Sequence, residues 1–322
     1  MRIILTGGTG FLGRAIVDRL LEQGGLGGDA APMTELVLIA RRPEDLPSDP
    51  RLRIVKGDVR DAAARREAIG SGADCVFHFA SMMAKAAETE RDAAYEVNIA
   101  ASLAFMNELR DTGAAPRVVY ASSIGVYGDA TEQDRIDDAT MPLPTISYGS
   151  DKLINEIYLN DLSRRGDLDG ISLRLPACLP RPRVPDDTPS PDFASSVLHA
   201  LRAGDGFHMP VSPAAAMWFL SLPCFIDNLM HAARLPASAY AGRRVLQLPA
   251  MHLRVGELVA GIEEALGLQG LGRVSWHPQP GLEERLASFP PLVTTAADGL
   301  GFGHDGDSAT LVRRTLAAIR PR

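Results

Sequence analysis

Cysteine is scarce in this chain. Only Cys75, Cys178 and Cys224 occur among 322 residues, far apart and with no CxxC or zinc-ligand spacing. The seven histidines are also scattered and form no HExxH pair. Neither a disulfide scaffold nor a metal site can be read from this pattern, and a reduced, metal-free protein is expected. Long apolar runs are missing as well. None reaches the roughly 18 residues of a membrane span, and "MRIILTGG" enters a strand without the apolar stretch of a signal peptide. Excess positive charge is the third absence. Lys and Arg number 33 against 40 Asp and Glu, a formal net charge of -7, with no basic stripe for nucleic acid to meet. The expected setting is cytoplasmic, with neither nucleic acid nor membrane as a partner.

What is present is an ordinary globular composition, 46% hydrophobic and 23% charged. The first half alternates short β-rich runs with helical patterns, which predicts an α/β fold with a doubly wound parallel sheet. The runs "RIILTG", "ELVLIA", "LRIVKGD", "DCVFHFA" and "RVVYASS" read as its strands. "FLGRAIVDRLLEQ" reads as a helix with Leu12, Ile16 and Leu20 on one face, and "AYEVNIAASLAFMNELRDTG" as another, striped by Ile99, Leu103 and Met106. "GGLGGDAAP" follows a helix and reads as a surface insertion. From Pro176, "LPACLPRPRVPDDTPSPD" is too proline-rich for regular structure and marks the passage into a smaller, mixed unit. The predicted division is residues 1–175 for the sheet domain, rejoined by segments near 217–248, with 176–216 and 249–322 as the second unit.

"TGGTGFLG" lies between the first strand and its helix, with Gly7, Gly10 and Gly13 at three-residue steps. A phosphate-binding turn needs backbone amides free of Cβ atoms and a helix N-terminus aimed at negative charge. The spacing is GxxGxxG, not the general GxGxxG; a tight structural turn is the alternative, and the strand-glycine-helix order favours dinucleotide binding. "ISYGSDK" sets Tyr148 and Lys152 four residues apart, on one face of a helix and one turn from each other.

The ordered set "TGGTGFLG", "GDVRD", "VFHFAS", "SSIGVYG" and "YGSDK" resembles the extended short-chain dehydrogenase/reductase family, the NAD-dependent epimerases and dehydratases, over nearly the whole chain. "SYGSDKLINEIYLNDLSRRGDLDGISLRLPA", "AMWFLSLPCFIDNLMHAARLPA" and "LGFGHD" are most similar to its D-erythronate dehydrogenase-like group, which oxidises the 2-hydroxyl of a four-carbon sugar acid. The resemblance implies a Rossmann fold and a catalytic Ser123, Tyr148 and Lys152. Tyr148 is the implied acid/base, Lys152 the group that lowers its pKa and anchors the nicotinamide ribose, and Ser123 the holder of the substrate oxygen. A free tyrosine has a pKa of about 10, and a neighbouring ammonium favours the phenolate. The implied dinucleotide contacts are Gly7, Thr9, Gly10, Phe11, Leu12, Gly13, Asp58, Val59, Ala80, Ser81, Asn98, Leu175 and Cys178, together with Tyr148 and Lys152. Met82, Ser123, Ile124, Tyr148, Arg174, Arg181 and Trp218 are the expected substrate contacts, with Arg183 a further cation nearby; a structural ion pair is the alternative for Arg174, and a place in the core the alternative for Trp218. His78 reads as a packed strand residue.

The second strand ends in "ELVLIARRPED", so Ala40 stands where a ribose-binding acid is expected, followed by Arg41 and Arg42. Guanidinium groups grip a 2'-phosphate that a carboxylate would repel, so the expected cofactor is NAD(P), with a lean towards NADP. Sugar dehydratases of the family carry an Asp-Glu pair where this chain has Ile124 and Gly125, and nucleotide-sugar enzymes an asparagine where it has Ala177. The group's arginine before its Met-Trp pair is Ala216 here, a departure that touches the substrate's identity more than the reaction class. A sugar-acid dehydrogenase is the expectation. A nucleotide-sugar epimerase is the alternative in the same fold, and a non-enzymatic dinucleotide sensor the alternative outside catalysis. Stripes on "NIAASLAFMNEL" and "KLINEIYLNDL" predict a homodimer.

Overall fold

A computed structural model describes residues 1–44, 46–128, 133–182 and 192–319. The chain separates into two compact units. The first comprises Met1–Gly128, Met141–Leu175 and Leu229–Gln247, and the second Asp129–Thr140, Pro176–Asn228 and Leu248–Arg322.

In the first unit, β1 (Arg2–Thr6), β2 (Glu35–Ala40), β3 (Leu52–Lys56), β4 (Cys75–His78), β5 (Arg117–Ser123) and β6 (Asp169–Leu175) form a sheet with a later strand, Val245–Gln247, at its edge. Every pairing in it is parallel. The strand sequences are runs of apolar residues because both faces are covered. Ile4, Val37, Val76 and Val118 pack on one side with Phe105, Leu109 and Leu159, while Ile3 and Leu5 are equally buried and point to the other. The helices of this unit include α1 (Phe11–Gln23), α2 (Ala62–Ile69), α3 (Ala84–Thr89), α4 (Arg91–Ala94), α5 (Ser102–Arg110) and α6 (Ser147–Arg165). Between α4 and α5 the chain winds as a π-helix over Tyr95–Ala101, where the sequence predicted an unbroken α-helix. Its i→i+5 bonds widen the turn without changing the apolar stripe, so side-chain periodicity does not reveal it. α6 ends at Gly166, whose φ of 79° closes the helix in the left-handed region.

The second unit contains β7 (Ala177–Leu179), β8 (Phe207–Met209), β9 (Ala216–Ser221), β11 (Met251–Arg254) and β12 (Val274–Trp276), β10 being the edge strand Val245–Gln247 of the first unit. β9 lies between β7 and β11, and β8 pairs with β12. Leu198, Met217, Phe219, Leu258 and Leu311 are part of the core of this unit. Two expectations are corrected here. Ala177–Leu179 is a strand despite the surrounding prolines, because Pro176 and Pro180 bracket it and cost no ladder N–H within it. Residues 217–228 belong to the second unit, since β9 pairs with β7 and β11 and not with the seven-stranded sheet.

Candidate active site

Strand order reverses direction at β1, with β2 on one side and β4 on the other, and the carboxyl ends of such strands open the crevice in which ligands of open α/β sheets bind. Here those ends are locked together. Thr6 Oγ1 accepts hydrogen bonds from the backbone N–H groups of Phe79 and Ala80, both at 3.2 Å, and meets His78 Nδ1 at 2.7 Å. The other ring nitrogen of His78 meets Ser102 Oγ at 3.0 Å, and burial pushes its pKa down to about 3. His78 is therefore a neutral, packed residue, as its place in the strand predicts.

The glycines after β1 have distinct steric reasons. Gly7 has φ of 76°, and a Cβ there would come within 2.8 Å of the backbone of Phe79 and Ala80. A Cβ on Gly13 would overlap the carbonyl oxygen of Gly7, so only glycine lets α1 start this close to the turn. Gly10 is the N-cap of α1 and supplies no side-chain cap, and Thr9 and Gly10 are exposed. The first amides of α1 are thus presented to whatever anion approaches. These residues fit the pyrophosphate of a dinucleotide: a cradle that a Cβ would fill, at an uncapped helix N-terminus. Phe11 and Leu12 are half-buried in the first turn.

At the end of β2, Arg41 and Arg42 are both exposed. Arg41 Nε is 3.7 Å from Asp58 Oδ2, and Arg60 holds the same carboxylate through Nε at 3.0 Å and Nη2 at 3.1 Å. Burial favours the neutral acid, but the bonds from Arg60 and the charges of Arg60 and Arg41 prevail and hold the pKa of Asp58 below its ordinary value. Val59 is buried, and its carbonyl accepts from Arg65 Nη1 at 2.8 Å.

Tyr148 and Lys152 lie on α6 in its first two turns. The ring of Tyr148 packs with Ala87 and Ala94, flanked by Met82 and Ala84. The Lys152 amine is 5.4 Å from that ring's centroid and 4.9 Å from the centroid of Tyr120. Lys152 is 3% exposed, and burial pushes its amine down from 10.5 to about 7, against the charges of Asp151 and Glu156. Its charge is therefore conditional at neutral pH. Tyr120 is also fully enclosed, and its phenol is raised well above the ordinary value, chiefly by burial, so it stays neutral. Ser123 Oγ accepts from the Gly125 N–H at 3.1 Å and caps the short turn Ile124–Tyr127. Gly125 separates the serine from the phenol: a Cβ there would lie 3.4 Å from Ser123 Oγ and 3.7 Å from Tyr148 Cδ1. Gly149 makes this approach possible, because a Cβ on it would overlap the Gly125 carbonyl. Ser123 and Tyr148 thus meet around Gly125, Lys152 stands beside the Tyr148 ring, and Met82 packs half-buried against the same ring.

Other expected contacts are differently employed. Asn98, in the π-turn, is 3% exposed; its Oδ1 accepts from Met82 N at 2.7 Å and Ser81 Oγ at 3.1 Å, while Nδ2 donates to Asp151 Oδ2 at 2.8 Å. Its side chain joins the 81–82 loop to α6. Burial raises the pKa of Asp151, with the Asn98 bond and the Lys152 charge opposing the rise. Arg174 is not an open clamp: its Nε and Nη2 donate to Glu156 at 3.0 and 2.8 Å, and Nη1 to the Tyr127 hydroxyl at 3.1 Å. Trp218 is not a pocket wall. It is fully buried, 4.8 Å from the Phe289 ring centroid, and its Nε1 donates to Pro290 O at 2.8 Å, because both faces of β9 are covered. In the second unit Arg181 Nη1 donates to Asp192 at 2.8 Å, and Cys178 is a buried thiol raised by burial, while Arg183 lies outside the described residues. Leu175 closes β6 and is buried. Asp151, Glu156 and Gly149 escaped the motif reading, although Glu156 stands at the i+4 position from Lys152, a spacing that could have drawn attention to it.

Among the described residues, no cluster of His, Cys, Asp or Glu is arranged to hold a metal ion, and no helix is long and apolar enough to cross a membrane. A family model described as the NAD dependent epimerase/dehydratase family matches residues 3–205. A D-erythronate dehydrogenase from Cupriavidus necator is 33% identical over 319 residues, covering 97% of each chain. One from Haemophilus influenzae is 28% identical, covering 98% of this chain and 99% of its own. The crystal structure of a nucleoside-diphosphate-sugar epimerase from Agrobacterium tumefaciens superposes with a TM-score of 0.90 at 28% identity, over 99% of this chain and 94% of that one.

Proposed function

Because the chain belongs to the NAD dependent epimerase/dehydratase family of extended short-chain dehydrogenases/reductases, we propose that it oxidises the secondary hydroxyl at carbon 2 of a small sugar acid of the D-erythronate kind, with NAD(P). The observation that carries the reaction type is the meeting of Ser123, Tyr148 and Lys152 around Gly125 and the first turns of α6. The substrate class rests on the two dehydrogenase relatives. The chemistry that a nicotinamide dinucleotide supplies in such a site is acceptance of a hydride from an alcohol carbon. Gly7, Gly10 and Gly13 would hold its pyrophosphate, and Lys152 its nicotinamide ribose. Ser123 Oγ orients the substrate hydroxyl, and Tyr148 Oη takes the proton. Lys152, when protonated, favours the phenolate that this step requires. Ring packing by Ala87 and Ala94 excludes water from one side of the phenol.

Purified protein assayed with four- to six-carbon aldonic acids, NAD and NADP in parallel, is expected to raise nicotinamide absorbance with at least one of the acids. Failure on every acid with both cofactors overturns the reading. The epimerase reading gains from the solved structure of similar shape. It predicts instead a retained cofactor, conversion of a nucleotide sugar, and no net change in absorbance. The exposed guanidinium groups of Arg41 and Arg42 support a preference for NADP. Arg41→Ala with Arg42→Ala is then expected to weaken NADP binding about tenfold or more while NAD binding changes little; equal losses would remove the preference.

A homodimer is part of the same proposal. On α6 Ile154 is 41% and Ile157 63% exposed, and Tyr95 on the neighbouring π-helix is 54% exposed, whereas Phe105 and Met106 are spent on the protein's own core. Light scattering at micromolar concentration is expected to give twice the chain mass; a monomer mass would refute it.

A further inference from the structure

Glu156 is an ionisable group almost completely withdrawn from water on the helix that carries Tyr148 and Lys152. Its side chain is 2% exposed. Arg174, from β6, grips both carboxylate oxygens, and Ser122 Oγ, from β5, donates to Oε1. The same guanidinium donates to the hydroxyl of Tyr127 and lies 4.9 Å from its ring centroid. Ser122 immediately precedes Ser123, and Tyr127 ends the short turn that Ser123 caps. The strand and turn bearing the serine are therefore fastened to α6 at a point one turn beyond Lys152 and two turns beyond Tyr148.

The charge surroundings of Lys152 are few. Asp151, Glu156 and Tyr148 are on its own helix, Tyr120 lies against it from β5, and His78 from β4. His78 and Tyr120 are both kept neutral by burial. Asp151 is pulled towards its neutral form by burial. Glu156, by contrast, accepts hydrogen bonds from the Arg174 guanidinium and the Ser122 hydroxyl. Glu156 stands one helical turn from Lys152, and its charge opposes the effect of burial on that amine.

We propose that Glu156 is a positioning residue of the reacting pair: its carboxylate, clamped by Arg174 and Ser122, supplies the negative charge that offsets removal of the Lys152 ammonium from water, and holds the Ser123 segment against the same helix. The inference rests on the roles proposed above for Tyr148 and Lys152, but the coupling is measurable without turnover.

The chain contains only three lysines, Lys56, Lys85 and Lys152, and the first two are exposed. Protein carrying 13C-labelled lysine therefore gives three side-chain signals, and the Lys152 amine can be titrated directly in the ligand-free state. Glu156→Gln is expected to move its midpoint down by about one pH unit. Arg174→Gln, which breaks the clamp but keeps the carboxylate, is expected not to lower it. Because a single break in a buried ion pair can prevent folding, the double replacement of Glu156 and Arg174 by methionine provides a second arm, since apolar residues of similar volume tolerate such a site. In that protein the midpoint falls as in Glu156→Gln, and the alkaline limb of kcat/KM moves to lower pH with it. An unchanged Lys152 midpoint in Glu156→Gln or in the double variant, or an equal fall in Arg174→Gln, overturns the proposal. Should the midpoints shift as expected while no aldonic acid is oxidised, the function proposed above fails and the charge coupling stands.

Discussion

Tyr148→Phe is expected to bind dinucleotide as tightly as the unaltered protein and to lose turnover by about 10²- to 10⁴-fold, the usual contribution of a positioned acid/base. The substitution removes one oxygen atom. The ring keeps its packing against Ala87 and Ala94, so α6 has no steric reason to move. Lys152 retains the Tyr120 ring 4.9 Å from its amine and is not left without its aromatic contact. A phenol that merely packed would therefore leave the rate unchanged. Fluorescence titration with the reduced cofactor measures the first half of the expectation, and steady-state kinetics with the best acid of the screen the second. Rates near those of the unaltered protein would remove Tyr148 from the reaction. Tyr120 cannot substitute for it, because burial raises its phenol well above the ordinary value and keeps it neutral.

Gly13→Ala is expected to reduce dinucleotide affinity by about 10²-fold or more and to cost about 1–3 kcal/mol of stability, the range for overpacking a close contact. The added methyl would overlap the Gly7 carbonyl and come within 2.9 Å of Gly8 Cα. Both are backbone atoms, so no side-chain rotation relieves the clash; α1 must back away from the turn, carrying its N-terminal amides with it. Gly10→Ala provides the scale. Its methyl would meet the Gly7 oxygen at 3.2 Å, a contact that a small shift of the turn relieves, and its effect is expected to be much smaller. Calorimetric titration and thermal melting of the two variants check the order. Equal affinities for Gly13→Ala and the unaltered protein would show that the loop is not a phosphate cradle.

The strand-turn-helix around Gly7, Gly10 and Gly13 was legible because each part is set by neighbours in sequence: β1 by its apolar run, α1 by the spacing of Ile16 and Leu20, and the turn by residues without a Cβ. The shared face of Tyr148 and Lys152 was legible for the same reason, since four residues make about one helical turn. For Arg174 and Trp218 the local sequence leaves a ligand contact and a structural role both open. The guanidinium finds Glu156 from another element, and the indole finds Pro290 O across 72 residues of chain. Asn98 likewise meets Asp151 from 53 residues away, in a π-turn that leaves no mark on the hydrophobic pattern.

The amino-acid sequence by itself determined the parallel α/β order, the glycine turn and the phenol–amine spacing, because backbone sterics and helical periodicity act over a few residues. Only the tertiary structure decided which charged side chains remain available and what charge Lys152 carries. Its amine falls from 10.5 to about 7 because strands and helices from distant parts of the chain take away its water, and Asp151 and Glu156 return only part of what is lost. Desolvation depends on what packs around a group, and nothing in the local order of residues states that.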